Sequence, residues 1–217
     1  MLEGIDAIIF DMDGTLIDSM WVWRAVDEEF YARYDLVEPE GFYEAMEGKS
    51  YREVAQLYLD SFPALPLSLE EIQDMWTDMA YQKYTTEVPL KKGIRKFLET
   101  QKRRGLKLGI ATSNGMELVN ATLRALDIQK YFDSVHTACE VAKGKPAPDI
   151  YLLVAEELNV KPGRCLVFED VPMGILAGKN AGMRTCAVDD EFSRIQEEKK
   201  KQMADYYIED YDELNDR

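Results

Sequence analysis

The sequence predicts an α/β fold: a parallel sheet with helices on both faces, interrupted by an inserted all-helical segment. Three observations carry the prediction. Short apolar runs recur without strict alternation, the pattern of strands covered on both faces. Helical patterns stand between those runs, and strand–helix alternation builds parallel sheets with right-handed crossovers. Residues 18–88 contain no strand signal and are too long for one crossover.

The elements follow in order. A first strand is expected at 6–10 (DAIIF). The insert reads as helices at 20–34, 51–62 and 69–84, the last opened by a capping box of Ser68 and Glu71. Strands are then expected at 106–111, 134–138, 165–168 and 184–188, with a sixth at 206–208. Helices are expected at 94–103, 117–126, 148–158, 174–181 and 192–203. Gly105, Gly163 and Gly182 fall where helices should stop. The expected domains are a core of 1–17 with 89–217, and an inserted helical domain of 18–88.

Composition narrows the function classes. The 217 residues are 46% hydrophobic, enough for a core, which excludes a disordered acidic tail. Asp and Glu number 41 against 26 Lys and Arg, a net charge of −15. That balance argues against nucleic acid as a partner, because binding its backbone needs clustered bases. It leaves small phosphorylated substrates open, since a bound divalent cation supplies positive charge. No run of eighteen apolar residues occurs, and the first ten residues carry acids where a secretory signal needs Lys or Arg. The expectation is therefore no membrane association. Cys139, Cys165 and Cys186 are an odd, scattered set that fits reduced cytoplasmic thiols better than a disulfide framework. A single histidine, His136, argues against a Ser-His-Asp triad or a His-rich metal site.

The strongest local signal is Asp11-Met12-Asp13-Gly14-Thr15, directly after the first strand. Ligands of open α/β sheets bind beyond the carboxyl ends of strands, and Gly14 permits a turn that brings both aspartates to one pocket. An Asx-turn or helix cap is the bland alternative. Three further strand ends carry matching chemistry. Thr112-Ser113-Asn114 offers hydroxyls and N–H groups where a helix begins, a cradle for phosphate or an ordinary cap. Lys145-Pro146 follows a loop, where a solvated lysine is the ordinary case. Glu169-Asp170 ends another apolar strand, and a buried acid pair needs a cation or a raised pKa unless it merely caps a helix.

Together these motifs resemble the haloacid-dehalogenase superfamily of phosphotransferases. The matching residues are Asp11-x-Asp13-Gly14-Thr15, Thr112-Ser113-Asn114, Lys145-Pro146-Ala147-Pro148-Asp149, and Glu169-Asp170 with Gly174 and Ala181-Gly182-Met183. The β-phosphoglucomutase-like branch, with a small helical cap inserted after the first strand, is the most similar. The resemblance implies a Rossmann-like parallel core with an inserted helical cap domain. It implies a phosphatase acting on a small phosphorylated metabolite, a sugar phosphate first among them, as a cytoplasmic monomer. Asp11 would be the nucleophile that forms an aspartyl-phosphate, and Asp13 the general acid and base. Mg²⁺ would be held by the Asp11 carboxylate, the Asp13 backbone carbonyl and Asp170, with Glu169 as an added or water-mediated ligand. Thr112 and Lys145 would contact the phosphoryl group, and Ser113 and Asn114 would help bind substrate.

Two other readings follow from the same likeness. A sugar-phosphate mutase of this branch carries a cap-helix histidine, and the corresponding position here is Trp23, which favours hydrolysis. A non-catalytic binding protein on the same fold would be expected to lack at least one of Asp11, Asp13, Thr112, Lys145 and Asp170. Asp13 also argues against the dehalogenase and phosphonatase branches, which lack an acid there. In residues 18–88, sixteen acids face five bases, a net of −11 that leaves −4 for the rest. Lys49 and Arg52 stand out in that acidic segment as expected substrate contacts, with Trp23 as a pocket wall.

Overall fold

A computed structural model describes residues 1–46 and 51–215. Strand β1 (Ala7–Phe10) is followed by four helices: α1 (Val22–Tyr34), α2 (Phe42–Met46), α3 (Tyr51–Ser61) and α4 (Leu69–Thr86). Alternation then sets in with α5 (Ile94–Arg103), β2 (Lys107–Thr112), α6 (Met116–Ala125), β3 (Ser134–Thr137) and α7 (Asp149–Glu157). The chain continues through β4 (Cys165–Glu169), α8 (Pro172–Asn180), β5 (Arg184–Val188), α9 (Glu197–Met203), β6 (Tyr206–Ile208) and α10 (Asp212–Asn215). Two compact units result: Met1–Met20 with Val88–Arg217, and Trp21–Glu87.

The first unit is an α/β layer structure. Its sheet has six strands, all parallel, in the order β3-β2-β1-β4-β5-β6. β1 is central, and all four of its residues are fully buried. Ala7 and Ile9 join Ile150, Tyr151 and Val154 of α7 and Ala177 of α8 in one core cluster. Phe10 stacks on Phe168 with ring centroids 5.3 Å apart and meets Phe97 of α5 and Tyr211 edge-on or tilted. A strand buried on both faces has no polar side to alternate with, hence its continuous apolar run.

The second unit is helical. Its core is aromatic, with Phe30 of α1 and Tyr58 of α3 packing on Trp76 of α4 at centroid distances of 5.6 and 4.9 Å. Ser68 and Glu71 form the expected capping box in both directions, at 3.2 and 2.7 Å. The short helix α2 was not expected from sequence. It places the buried Phe42 against Tyr58 at 4.9 Å, a tertiary contact with no local periodicity behind it.

Two expectations in the core require correction. Gly105 and Gly182 do follow helices in the left-handed conformation (φ 82° and 74°). Gly163, however, sits in a 3-10 turn at Pro162–Arg164. The left-handed residue after α7 is Asn159 (φ 52°), the type that tolerates this region best after glycine. The helix expected at 192–203 begins only at Glu197. Before it, Phe192 N donates to Asp190 Oδ1 (3.0 Å) and a 3-10 turn spans Arg194–Gln196. Phe192 and Ile195 are exposed, so their apolar spacing marks no buried stripe. The buried residue of α9 is Lys200, whose Nζ donates to the Val188 carbonyl (3.1 Å) and Ser193 Oγ (2.9 Å) and pins the turn to β5.

Candidate active site

The strand order reverses on either side of β1, and ligands of such sheets sit at that point, beyond the strand C-termini. Register decides which residues meet there. Phe10 pairs with Ile110 of β2 and Phe168 of β4. The next residue, Asp11, donates its N–H to the Phe168 carbonyl (3.0 Å) and lies level with Glu169. Asp11, Thr112, Glu169 and Asp170 are all buried.

Lys145 enters this cluster from the loop before α7, where the Lys145–Pro146 peptide is cis. Its Nζ donates to Asp11 Oδ1 (2.5 Å), Glu169 Oε1 (2.6 Å) and the Ala111 carbonyl (3.1 Å), which uses all three of its protons. Burial opposes its charge, but the Asp11 and Glu169 carboxylates outweigh burial and hold the ammonium above its ordinary pKa. Burial pushes Asp11 up to about 7; Lys145 pulls it down while Glu169 and Asp13 push it further up. Burial, Glu169 and Asp11 also raise Asp170 well above the carboxylate range. The cluster thus holds more negative charge than one lysine balances.

The second aspartate of the motif is held differently. Ser19 Oγ donates to Asp13 Oδ1 (2.6 Å), and Asn114 Nδ2 donates to Asp13 Oδ2 (2.7 Å). Thr15 Oγ1 donates to Asp170 Oδ1 (3.1 Å). Among the described residues, Asp170 Oδ2 is buried with no hydrogen-bond partner. Gly14 stands beside it with φ 74°, and a Cβ at that position would lie 2.6 Å from Asp170 Cγ. Only glycine both turns the chain there and leaves that space open.

These features fit a hard divalent cation. One oxygen each from Asp11, Glu169 and Asp170 lie within 4.8 Å of one another. All are carboxylate oxygens, the donors that Mg²⁺ prefers. An orphaned, buried Oδ2 in a cluster of raised carboxyl pKa values is the kind of group that a cation satisfies.

α6 has Gly115 as its N-cap, α7 has Pro148 and α8 has Val171, none with a side-chain cap hydrogen bond. The residues at those N-cap positions are therefore not Thr112, Asn114 or Asp170. Thr112 Oγ1 accepts from Asn114 N (3.2 Å) in the turn after β2, and Ser113 is exposed there. Asn114, expected to bind substrate, has its Nδ2 hydrogen-bonded to Asp13. Arg52 is exposed and pairs with Glu70 at 3.6 Å. Trp23 is 42% exposed and packs edge-on against Tyr51 at 5.9 Å. Lys49 lies outside the described residues.

Sequence reasoning missed Ser19 and Tyr151. Ser19 lies eight residues after Asp11 in a segment with no periodic signal. Tyr151 sits on the buried face of α7 among Ile150 and Val154 and reads as core, yet its hydroxyl donates to Glu169 Oε1 (2.7 Å). A polar tip in an otherwise apolar face was the only available clue.

Several known proteins are similar to this chain. A "Phosphorylated carbohydrates phosphatase" from Thermotoga maritima is 34% identical over 183 residues, 82% of each chain. The "Fructose-1-phosphate phosphatase YqaB" of Escherichia coli is 31% identical over 190 residues, 84% of this chain and 96% of that one. Among solved structures, a putative beta-phosphoglucomutase from Thermotoga maritima superposes with a TM-score of 0.82 at 29% identity, covering 98% and 97% of the two chains. The sequence profile of the haloacid dehalogenase-like hydrolases matches residues 5–182, a span that runs from the strand before Asp11 to the glycine after α8. The chain belongs to the haloacid dehalogenase-like hydrolase family.

Proposed function

We propose that the protein is a Mg²⁺-dependent phosphomonoesterase that hydrolyses a small phosphorylated metabolite, a sugar phosphate in the first instance. One observation carries the reading: Lys145 bridges Asp11 and Glu169 while Asp170 Oδ2 stays unpartnered beside them. The named phosphatase relatives act on phosphorylated carbohydrates, and their names support the substrate class.

Asp11 would hold the cation with Asp170 and the backbone carbonyl of Asp13. When bound, Mg²⁺ would neutralise charge on a transferring phosphoryl group. Asp11 attacks phosphorus in line and its carboxylate carries the phosphoryl group, which splits one displacement into two. Lys145 keeps Asp11 oriented and offsets its charge, so that a phosphate dianion can approach. Asp13, aimed by Ser19 and Asn114, donates a proton to the leaving oxygen and later takes one from water. The Thr112 hydroxyl, at the end of β2, would contact a phosphoryl oxygen. The helical unit 21–87 would be the segment that selects the substrate. The reading carries with it a monomeric, cytoplasmic enzyme with three free thiols.

A screen of phosphorylated metabolites with and without Mg²⁺ tests this. Release of inorganic phosphate that depends on Mg²⁺ and disappears in Asp11→Asn is expected. The structural likeness to a putative beta-phosphoglucomutase makes mutase activity the second reading. Isomerisation of a sugar monophosphate faster than phosphate release would establish it.

A further inference from the structure

Glu169 and Asp170 are neighbours at the end of β4, yet both Glu169 oxygens accept hydrogen bonds while Asp170 accepts at Oδ1 and not at Oδ2. Glu169 Oε1 accepts from Lys145 Nζ (2.6 Å) and from the Tyr151 hydroxyl (2.7 Å). Glu169 Oε2 accepts from Asp170 N (3.2 Å). Gly174 of α8 packs so close that a Cβ there would overlap the Glu169 carboxylate. Asp170 Oδ2, by contrast, is bare.

Tyr151 is the component with no assigned role. It is fully buried, and burial keeps its phenol protonated well above the usual range, so it acts as a donor. The Lys145 ammonium lies over its ring, 5.2 Å from the centroid. One side chain thus touches both the acid and the base of the Lys145–Glu169 pair. A carboxylate saturated with donors must give up charge-assisted bonds before it can ligate a cation. We propose that Tyr151 is a positioning residue that, through Glu169, holds Lys145 against Asp11 and keeps Glu169 out of the inner shell of the cation. Of the three clustered carboxylates, Asp11 and Asp170 are then left to ligate the cation. This inference rests on the reading of those two acids as cation ligands.

The test uses the full-length chain and Tyr151→Phe, which keeps the ring and removes the donor. Mg²⁺ and Ca²⁺ binding are measured calorimetrically without substrate, and turnover of p-nitrophenyl phosphate is measured with Mg²⁺. With its second donor gone, Glu169 turns toward the cation. An extra carboxylate suits Ca²⁺, which accepts six to eight oxygens, more than octahedral Mg²⁺. Ca²⁺ should bind on the order of tenfold tighter in Tyr151→Phe, with a smaller change for Mg²⁺. The kcat should fall roughly tenfold, the usual effect of losing a partner behind a metal site, with little change in KM. Adding Glu169→Gln to Tyr151→Phe should abolish the Ca²⁺ gain.

An unchanged ratio of Ca²⁺ to Mg²⁺ affinity in Tyr151→Phe overturns the inference. So does a parallel fall in both affinities with a lowered Tm, which would mean that Tyr151 only packs. A wild-type chain that binds neither cation removes the site itself, and that result precedes any variant. A Ca²⁺ gain in a protein without phosphatase activity supports the inference and removes only the proposed function.

Discussion

Asn114 Nδ2 donates to Asp13 Oδ2 at 2.7 Å, so the asparagine of the Thr112-Ser113-Asn114 turn serves Asp13. A hydrogen bond to a charged carboxylate is worth about 1.5–3 kcal/mol. Asn114→Ala should therefore lower kcat roughly 10–100-fold on p-nitrophenyl phosphate, with a smaller effect on KM. A raised KM at unchanged kcat would return Asn114 to substrate binding.

Asp11→Asn should abolish turnover without loss of fold. Burial already pushes the Asp11 carboxyl up to about 7, so the neutral amide suits the dry cluster. Thermal unfolding should show a Tm equal to or above wild type. A variant with substantial residual activity would rule out Asp11 as the nucleophile.

Lys145→Met should behave in the opposite way. It leaves the buried carboxylates of Asp11 and Glu169 without their shared cation, a loss of about 3–5 kcal/mol for a broken buried pair. Chemical denaturation should show that loss, and it should shrink in the Asp11→Asn background, where one carboxylate is already gone.

In the helical unit, the Tyr58 hydroxyl lies 2.9 Å from Asp27 Oδ1. Burial pushes Asp27 from 3.8 to about 6, against the Tyr58 hydrogen bond. Between those values the folded state binds more protons than the unfolded state, so stability falls as pH rises through this window. Above it, the charged Asp27 costs on the order of 1–2 kcal/mol after allowance for its partial exposure. Asp27→Asn should raise Tm at pH 8 and change it little at pH 4. Equal shifts at both pH values would contradict this assignment.

His136 sits between two glutamates, with Nδ1 2.7 Å from Glu140 Oε2 and Nε2 hydrogen-bonded to Glu157. A neutral imidazole has one N–H and cannot donate to both. Burial opposes its charge, but the two carboxylates outweigh burial and raise it above 6.5. Its contribution to stability is fully present below 6.5 and lost as pH rises through the raised value. Thermal unfolding of wild type should lose stability as pH rises above 6.5, and His136→Gln should flatten the loss.

Much of the fold was legible because strand and helix signals are local. The run Asp6–Phe10 declares a strand without a polar face, and Ser68 with Glu71 declares a helix start. Where local pattern and tertiary contact disagreed, the reading failed. Phe192 and Ile195 mimic a helical stripe but face solvent, while the charged Lys200 occupies the interior. The α2 helix rests on Phe42 meeting Tyr58, a contact between distant segments.

The sequence by itself determined which residue types stand at the strand ends, because the chemistry of the site is written into contiguous motifs. Asp11, Asp13, Thr112, Lys145, Glu169 and Asp170 could all be named from it. Only the tertiary structure decided what each one touches. A motif specifies a side chain but not its partners, and hydrogen bonds across 18 to 155 positions of chain depend on strand register and helix packing. That packing spent Asn114 on Asp13, surrounded Glu169 with Lys145 and Tyr151, and left Asp170 Oδ2 open.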